Sequence, residues 1–227
     1  MNLSMRVEFL EAVLNCEPVS GLTHSFYRYP ARFSLLFARA AIKAFSQPGD
    51  IVLDPFTGGG TTLVEARVLG RRAIGTDINP LATFITRVKT SPLSEDDIST
   101  IEEWSEWIRY YLNLRAPVFR AGVWVEEGYQ RNISGRKTWP VRKTLELALD
   151  CVEELLRERQ RRFVRCALLK SAQWALDGRK DVPKAQEFRK QIFLHLQEML
   201  EGVREFSTIV RSSDRLYESA ALFERSA

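Results

Sequence analysis

Asp54-Pro55-Phe56-Thr57-Gly58-Gly59-Gly60-Thr61-Thr62 is the stretch that decides the fold. It follows Ile51-Val52-Leu53, a short apolar run of strand type set off by the turn Gln47-Pro48-Gly49-Asp50. It leads into residues 61–69, which read as a helix stopped by Gly70. Glycines at such a junction adopt positive φ and let a ligand approach the backbone. Ala73-Ile74-Gly75-Thr76 reads as a second strand, and residues 80–89, after Asn79, as a further helix. Strand, helix, strand, helix at this spacing predicts a βαβ unit and hence a parallel sheet in an α/β fold.

Upstream, residues 34–46 read as a helix, as do residues 2–15, where Val7, Leu10, Val13 and Leu14 share one side. After Pro92 the pattern turns helical and polar. Ile98, Ile101, Trp104, Trp107, Ile108 and Tyr111 recur at three and four residues, as do Leu145, Leu149, Val152, Leu155 and Leu156, and later Phe188, Ile192, Leu196, Met199 and Val203. A strand pattern returns at Thr208-Ile209-Val210. The expected organisation is an α/β portion over 1–92, an all-helical insertion over 93–206, and a third strand within 207–227.

The chemistry of the glycine turn follows from what it contains and lacks. A phosphate-binding loop of Walker type needs a lysine in the turn, and Gly60-Thr61-Thr62 has none. The dinucleotide fingerprint is a closer rival, but its third glycine position holds Leu63, and Asp54 at the strand tip would repel a pyrophosphate. An acid there suits an ammonium group. Asp77, at the tip of the second strand, can accept both hydroxyls of an adenosine ribose. One carboxylate for an amino-acid head, one for a ribose, and no phosphate cradle describe an adenosyl-amino acid, of which S-adenosylmethionine is the common cofactor.

The same residues carry a family resemblance. The string 54–62, then Glu65-Ala66, Gly70-Arg71, Gly75 and Asp77-Ile78-Asn79-Pro80-Leu81-Ala82, resembles motifs I and II of DNA N6-adenine and N4-cytosine methyltransferases. Thr23-His24-Ser25-Phe26-Tyr27-Arg28-Tyr29-Pro30-Ala31-Arg32-Phe33 resembles their motif X, and Ser213-Asp214-Arg215-Leu216 their motif III. The resemblance implies a Rossmann-like S-adenosylmethionine methyltransferase core with a partial parallel sheet. It implies cofactor contacts from Tyr29, Pro30, Asp54, Pro55, Phe56, Gly58, Gly60, Thr61, Thr62, Asp77, Ile78 and Asn79, with Asp77 on the ribose and Ile78 stacked on the adenine. It also implies DNA as substrate and a place in a restriction-modification system, and three cysteines without paired spacing leave a reducing cytoplasm as the default compartment.

The family's catalytic tetrapeptide, (Asp/Asn/Ser)-Pro-Pro-(Tyr/Phe/Trp), does not occur in the sequence. It holds the target amine while its ring stacks on a flipped base. Asn79-Pro80-Leu81-Ala82 and Ser91-Pro92-Leu93-Ser94 both lack the second proline and the aromatic. No catalytic residue is therefore expected, and the sequence stops at Ala227, about where the strand that carries the tetrapeptide in the family should begin. A split enzyme completed by a second polypeptide, a truncated remnant, and a non-catalytic nucleic-acid-binding or scaffold subunit remain as readings. Some RNA guanine-N2 methyltransferases carry a similar turn, but the residues ahead of Asp54 leave little room for the RNA-binding domain usual there.

Composition adds bounds. The 227 residues carry a net charge of +4, compatible with a polyanionic partner. Three cysteines, Cys16, Cys151 and Cys166, form no paired spacing, so neither a disulfide framework nor a zinc ribbon is expected. No metal-ligand spacing occurs, nor an apolar run long enough to span a membrane, and the first residues do not read as a signal peptide. Arg109, Arg115, Arg120, Arg131, Arg136, Lys137, Arg142 and Lys143, among Trp124, Tyr129 and Trp139, suit phosphate contact with stacking, or equally a solvated loop packed on helices. Arg157, Arg159, Arg161, Arg162 and Arg165, interleaved with Glu153, Glu154 and Glu158, read as an ion-paired helix face.

Overall fold

The computed structural model describes residues 3–14, 20–30, 34–119, 133, 135–213 and 221–224. The chain divides into two compact units, Met1–Ser94 with Glu201–Ala227, and Glu95–Leu200. The first is α/β. Its helices α1 (Leu3–Leu14) and α2 (Leu35–Phe45) precede strand β1 (Ile51–Asp54), helix α3 (Thr61–Val68), strand β2 (Arg72–Asp77) and helix α4 (Pro80–Thr90), with a short 3-10 turn at His24–Phe26. Strand β3 (Ala221–Glu224) completes a sheet of order β1-β2-β3, parallel throughout.

Local chemistry sets these boundaries. The Ser34 side chain accepts the Phe37 N–H to open α2. Asn79 caps α4 through the Leu81 N–H, with Pro80 as its first residue. Gly49 and Gly70 turn the chain at positive φ on either side of β1 and α3, and the Gly49 N–H donates to the Gly70 carbonyl at 2.8 Å. Leu63 and Ala66 of α3 bury against Ile42 of α2, Val52 of β1 and Ala73 of β2. The neighbouring stripe of α3, Val64 and Val68, packs on Leu22, Phe206 and Val210.

That second packing corrects the strand expected at Thr208-Ile209-Val210. These residues lie in the long helix α8 (Ala185–Ser213), and the third strand is Ala221–Glu224. β-branched side chains favour a strand only when nothing else decides. Here Val203, Phe206 and Val210 continue the spacing of Leu196 and Met199, all buried, and the face they make is helical. The motif III resemblance at Asp214 falls outside the described residues.

The second unit is helical: α5 (Glu95–Tyr111), α6 (Trp139–Val152), α7 (Glu158–Leu176) and α8 as far as Leu200. Ile98, Ile101, Trp104 and Ile108 form the buried stripe of α5, and the Trp104 indole N–H donates to the Cys151 carbonyl at 2.9 Å. Asp97, wholly buried, receives Arg157 at 2.9 Å, Arg159 at 2.7 Å and Gln160 at 3.1 Å, which pins the start of α7 to α5. Arg161, Arg162 and Arg165 reach Glu158 or Glu153. Of the basic and aromatic stretch, Arg120, Trp124, Tyr129 and Arg131 lie outside the described residues. Among the described residues no helix is long and apolar enough to cross a membrane.

Candidate functional site

The glycine turn sits at the carboxyl end of β1, where open α/β sheets bind ligands. Its shape depends on two glycines. Gly60 has φ +77 and caps α3, and a Cβ there would stand 2.8 Å from Thr86 Oγ1. Gly58 has φ +47 beneath the Tyr29 ring. The backbone of the turn is tied on every side. The Thr57 N–H donates to the Thr76 carbonyl at 3.1 Å and the Gly60 N–H to the Thr57 carbonyl at 2.7 Å. Thr86 Oγ1 donates to the Gly58 carbonyl at 3.3 Å, and Lys89 Nζ to the Gly59 carbonyl at 2.8 Å. Beyond the turn, the first intrahelical bond of α3 runs from Val64 to Gly60, so the preceding N–H groups of the helix start have no partner within it.

The two strand-tip acids belong to this turn. β1 and β2 pair Asp54 with Gly75, so Asp77, two residues on, projects to the same side of the sheet as Asp54. Asp54 Oδ1 accepts the Phe56 N–H at 3.0 Å. Asp77 accepts twice, from the Gly58 N–H at 2.8 Å and from the Asn79 N–H at 2.9 Å. A carboxylate offers about four acceptor sites, so Asp77 keeps room for two further donors. Beside the acids stand two apolar side chains in water, Phe56 at 83% exposure and Ile78 at 80%. Tyr29, half-buried over Gly58 and Gly59, accepts from Asn79 Nδ2 at 3.1 Å. Pro30 and Pro55 are exposed, Thr61 is buried and Thr62 half-buried. The structure thus brings Tyr29, Asp54, Phe56, Gly58, Gly60, Asp77 and Asn79 to one sheet end. Of the motif X stretch, Ala31, Arg32 and Phe33 lie outside the described residues.

Beneath the turn lies a buried polar group that the sequence pattern does not announce. His24 Nε2 meets Glu65 Oε1 at 2.8 Å, and Arg39 donates to Glu65 Oε2 at 2.6 Å. Burial pushes the His24 imidazole below its ordinary value, against the pull of Glu65. Burial alone would raise the Glu65 carboxyl, but the hydrogen bonds from His24 and Arg39 outweigh it and hold the group below the usual range. A neutral His24 therefore donates from Nε2, and its Nδ1 is buried without a hydrogen-bond partner among the described residues. Next to it, Thr23 Oγ1 donates to the Lys89 carbonyl at 2.8 Å. The signal that could have found Lys89 is its spacing: it lies three residues after Thr86, one turn along the helix face that meets the turn. Among the described residues no group of histidine, cysteine and acid side chains could hold a metal ion.

Residues 7–86 match the family model for DNA methylases of the N6/N4 type. The chain is 37% identical over 81 residues to the Type II methyltransferase M.MvaI of Kocuria varians, covering 34% of this chain and 18% of that protein. It is 35% identical over 80 residues to the Type II methyltransferase M.MjaII of Methanocaldococcus jannaschii, covering 35% and 14%. It is 41% identical over 61 residues to the DNA adenine methyltransferase YhdJ of Escherichia coli, covering 27% and 21%. The chain therefore spans less than a quarter of the length of these relatives. No solved structure matches it.

Proposed function

We propose, from the match of residues 7–86 to the DNA methylase family model, that the ends of β1 and β2 bind S-adenosylmethionine in a Rossmann-like core. The observation that carries the reading is Asp77 against the Gly58 N–H at 2.8 Å, which joins the second-strand acid to the glycine turn of the first. On this reading Asp54 faces the ammonium of the methionine end, Asp77 accepts the ribose hydroxyls, and Ile78 and Phe56 offer apolar surface to the adenine and its neighbourhood. Tyr29, Pro30, Pro55, Gly58, Gly60, Thr61, Thr62 and Asn79 complete the lining. The three glycines let the backbone of the turn pack directly against Tyr29 and Thr86, where added side chains would crowd them. When bound, the cofactor supplies an activated methyl group; the chain's own part is to hold it and fix its orientation.

The proposed reaction is methylation of an exocyclic amine of DNA, adenine N6 or cytosine N4, in a cytoplasmic restriction-modification setting. The tetrapeptide that would position the amine is not among the 227 residues. On this reading it lies outside these residues, with a second polypeptide as its proposed source, and residues 1–227 alone transfer no methyl group. The sheet supports this. Ile51, Leu53, Ile74, Ala221 and Phe223 share one face by register with Thr76 and, at its end, Arg72, opposite the face that carries Val52 and Ala73. On that face Leu53 is 62% and Phe223 58% exposed. Parallel sheets are ordinarily covered on both sides, so a bare apolar face suits a partner's helices. A non-catalytic binding subunit, the second reading, is favoured only by the missing tetrapeptide.

Calorimetric titration with S-adenosylhomocysteine tests the proposal. The chain should bind it, and Asp77→Ala should weaken binding by at least about tenfold, or 1.4 kcal/mol. No heat of binding at millimolar ligand would contradict the cofactor reading.

A further inference from the structure

We infer that Lys89 is a positioning residue for the cofactor turn, holding its glycine backbone in the ligand-ready form; this rests on the cofactor reading above. Lys89 is 1% exposed, and a buried ammonium is costly unless it is paired. A methionine would fill similar space without that cost, so packing does not account for a lysine here. Its Nζ donates instead to the Gly59 carbonyl at 2.8 Å. The Gly59 carbonyl and the Gly60 N–H belong to one planar peptide. Lys89 holds the first, and the Thr57 carbonyl accepts from the second at 2.7 Å. The plane is thus fixed at both ends.

The neighbouring bonds extend the arrangement. Thr86, one helical turn before Lys89, donates to the Gly58 carbonyl, and Asp77 takes the Gly58 N–H. Three consecutive glycines have more backbone freedom than any other tripeptide, and a ligand that must order them binds more weakly. Lys89 is itself anchored, since its carbonyl accepts from Thr23 Oγ1 beside the His24–Glu65 pair. One buried residue therefore links, through its backbone carbonyl and its side chain, the segment that carries Tyr29 to the turn over which Tyr29 lies. This gives α4 a task besides packing: its inner face presents Thr86 and Lys89 to two successive glycine carbonyls.

The test uses the full 227-residue chain and Lys89→Met. S-adenosylhomocysteine affinity should fall roughly tenfold or more through loss of preorganisation, while the melting temperature of the ligand-free protein is held or rises. Amide hydrogen exchange should speed up in residues 57–60 and not along α4. Thr86→Val, which keeps the shape and deletes the hydroxyl, should give a smaller loss in the same direction, and carries the test if Lys89→Met does not fold. Affinity within twofold of wild type, or loss of affinity only in step with a general loss of stability and protection, would overturn the assignment. If the wild-type chain binds no ligand, the cofactor reading fails, and unchanged exchange of residues 57–60 in Lys89→Met would overturn the tethering role as well. The exchange data then report separately whether Lys89 tethers the turn.

Discussion

At the scale of single residues, the glycines of the turn differ in what they tolerate. Gly60→Ala meets two penalties together, a left-handed φ and a Cβ 2.8 Å from Thr86 Oγ1 and 3.2 Å from Thr86 Cα. It should cost about 3 kcal/mol in chemical denaturation and abolish ligand binding, whereas Gly58→Ala, whose Cβ meets Tyr29 at 3.4 Å, should cost about 1 kcal/mol. Gly60→Ala with unchanged stability would refute this account of the turn. The turn and its two acids were legible in the sequence because glycine and aspartate carry their meaning locally, in φ and in charge. Lys89 was not. A lysine on a helix is ordinarily a solvated cation, and only the packing of α4 against the turn makes it a donor to Gly59. His24 lies in the motif X stretch, but its bond to Glu65 joins residues 41 apart in the chain, which no local pattern encodes.

At the scale of elements, helix α8 is the instructive case. Thr208-Ile209-Val210 carries strand propensity, yet the burial of Phe206 and Val210 against Val64 makes it helical. Gly202 shows how closely this helix seats. A Cβ there would stand 2.1 Å from the Leu22 carbonyl oxygen, and Leu22 itself has φ +45. In an exposed helix Gly→Ala gains up to about 1 kcal/mol. Gly202→Ala should instead destabilise the α/β unit by roughly 2 kcal/mol or more, since the obstacle is backbone and cannot turn aside. Equal or improved stability would show that the helix does not seat there.

The same helix carries His195 in the helical unit. Ser171 donates its hydroxyl to Ala167 at 2.8 Å, so the imidazole Nδ1–H donates to Ser171 Oγ and Nε2 accepts from Gln191. Burial, with Lys170 adding to it and Glu198 opposing, lowers the imidazole to about 4. As pH falls from 6.5 toward 4, the unfolded chain takes up the proton first. Stability contributed above pH 6.5 is then lost progressively, on the order of 3 kcal/mol. Denaturant midpoints at pH 7.5 and 4.5 should therefore differ for wild type and differ less for His195→Gln. Equal differences in the two proteins would exclude His195 as the cause.

At the scale of the whole chain, the α/β character was readable because strand and helix alternate within 40 residues. The bare side of the sheet was not, because alternation in a four-residue strand does not say which face lacks cover. Leu53→Lys on that face should reduce binding of an apolar fluorescent dye and self-association in light scattering. Folding stability should change by less than about 0.5 kcal/mol, as for a surface site. Undiminished dye binding would show that the apolar surface lies elsewhere, for instance on α1, where Val7, Leu10, Val13 and Leu14 are exposed. The account as a whole depends on Asp54 and Asp77 serving opposite ends of one ligand. The most direct measurement compares S-adenosylhomocysteine with methylthioadenosine, which has the nucleoside but no amino-acid head, on Asp54→Asn and Asp77→Asn by calorimetry. Asp77→Asn should weaken both ligands, and Asp54→Asn only S-adenosylhomocysteine. Equal effects of Asp54→Asn on the two ligands, or none on either, would contradict the account.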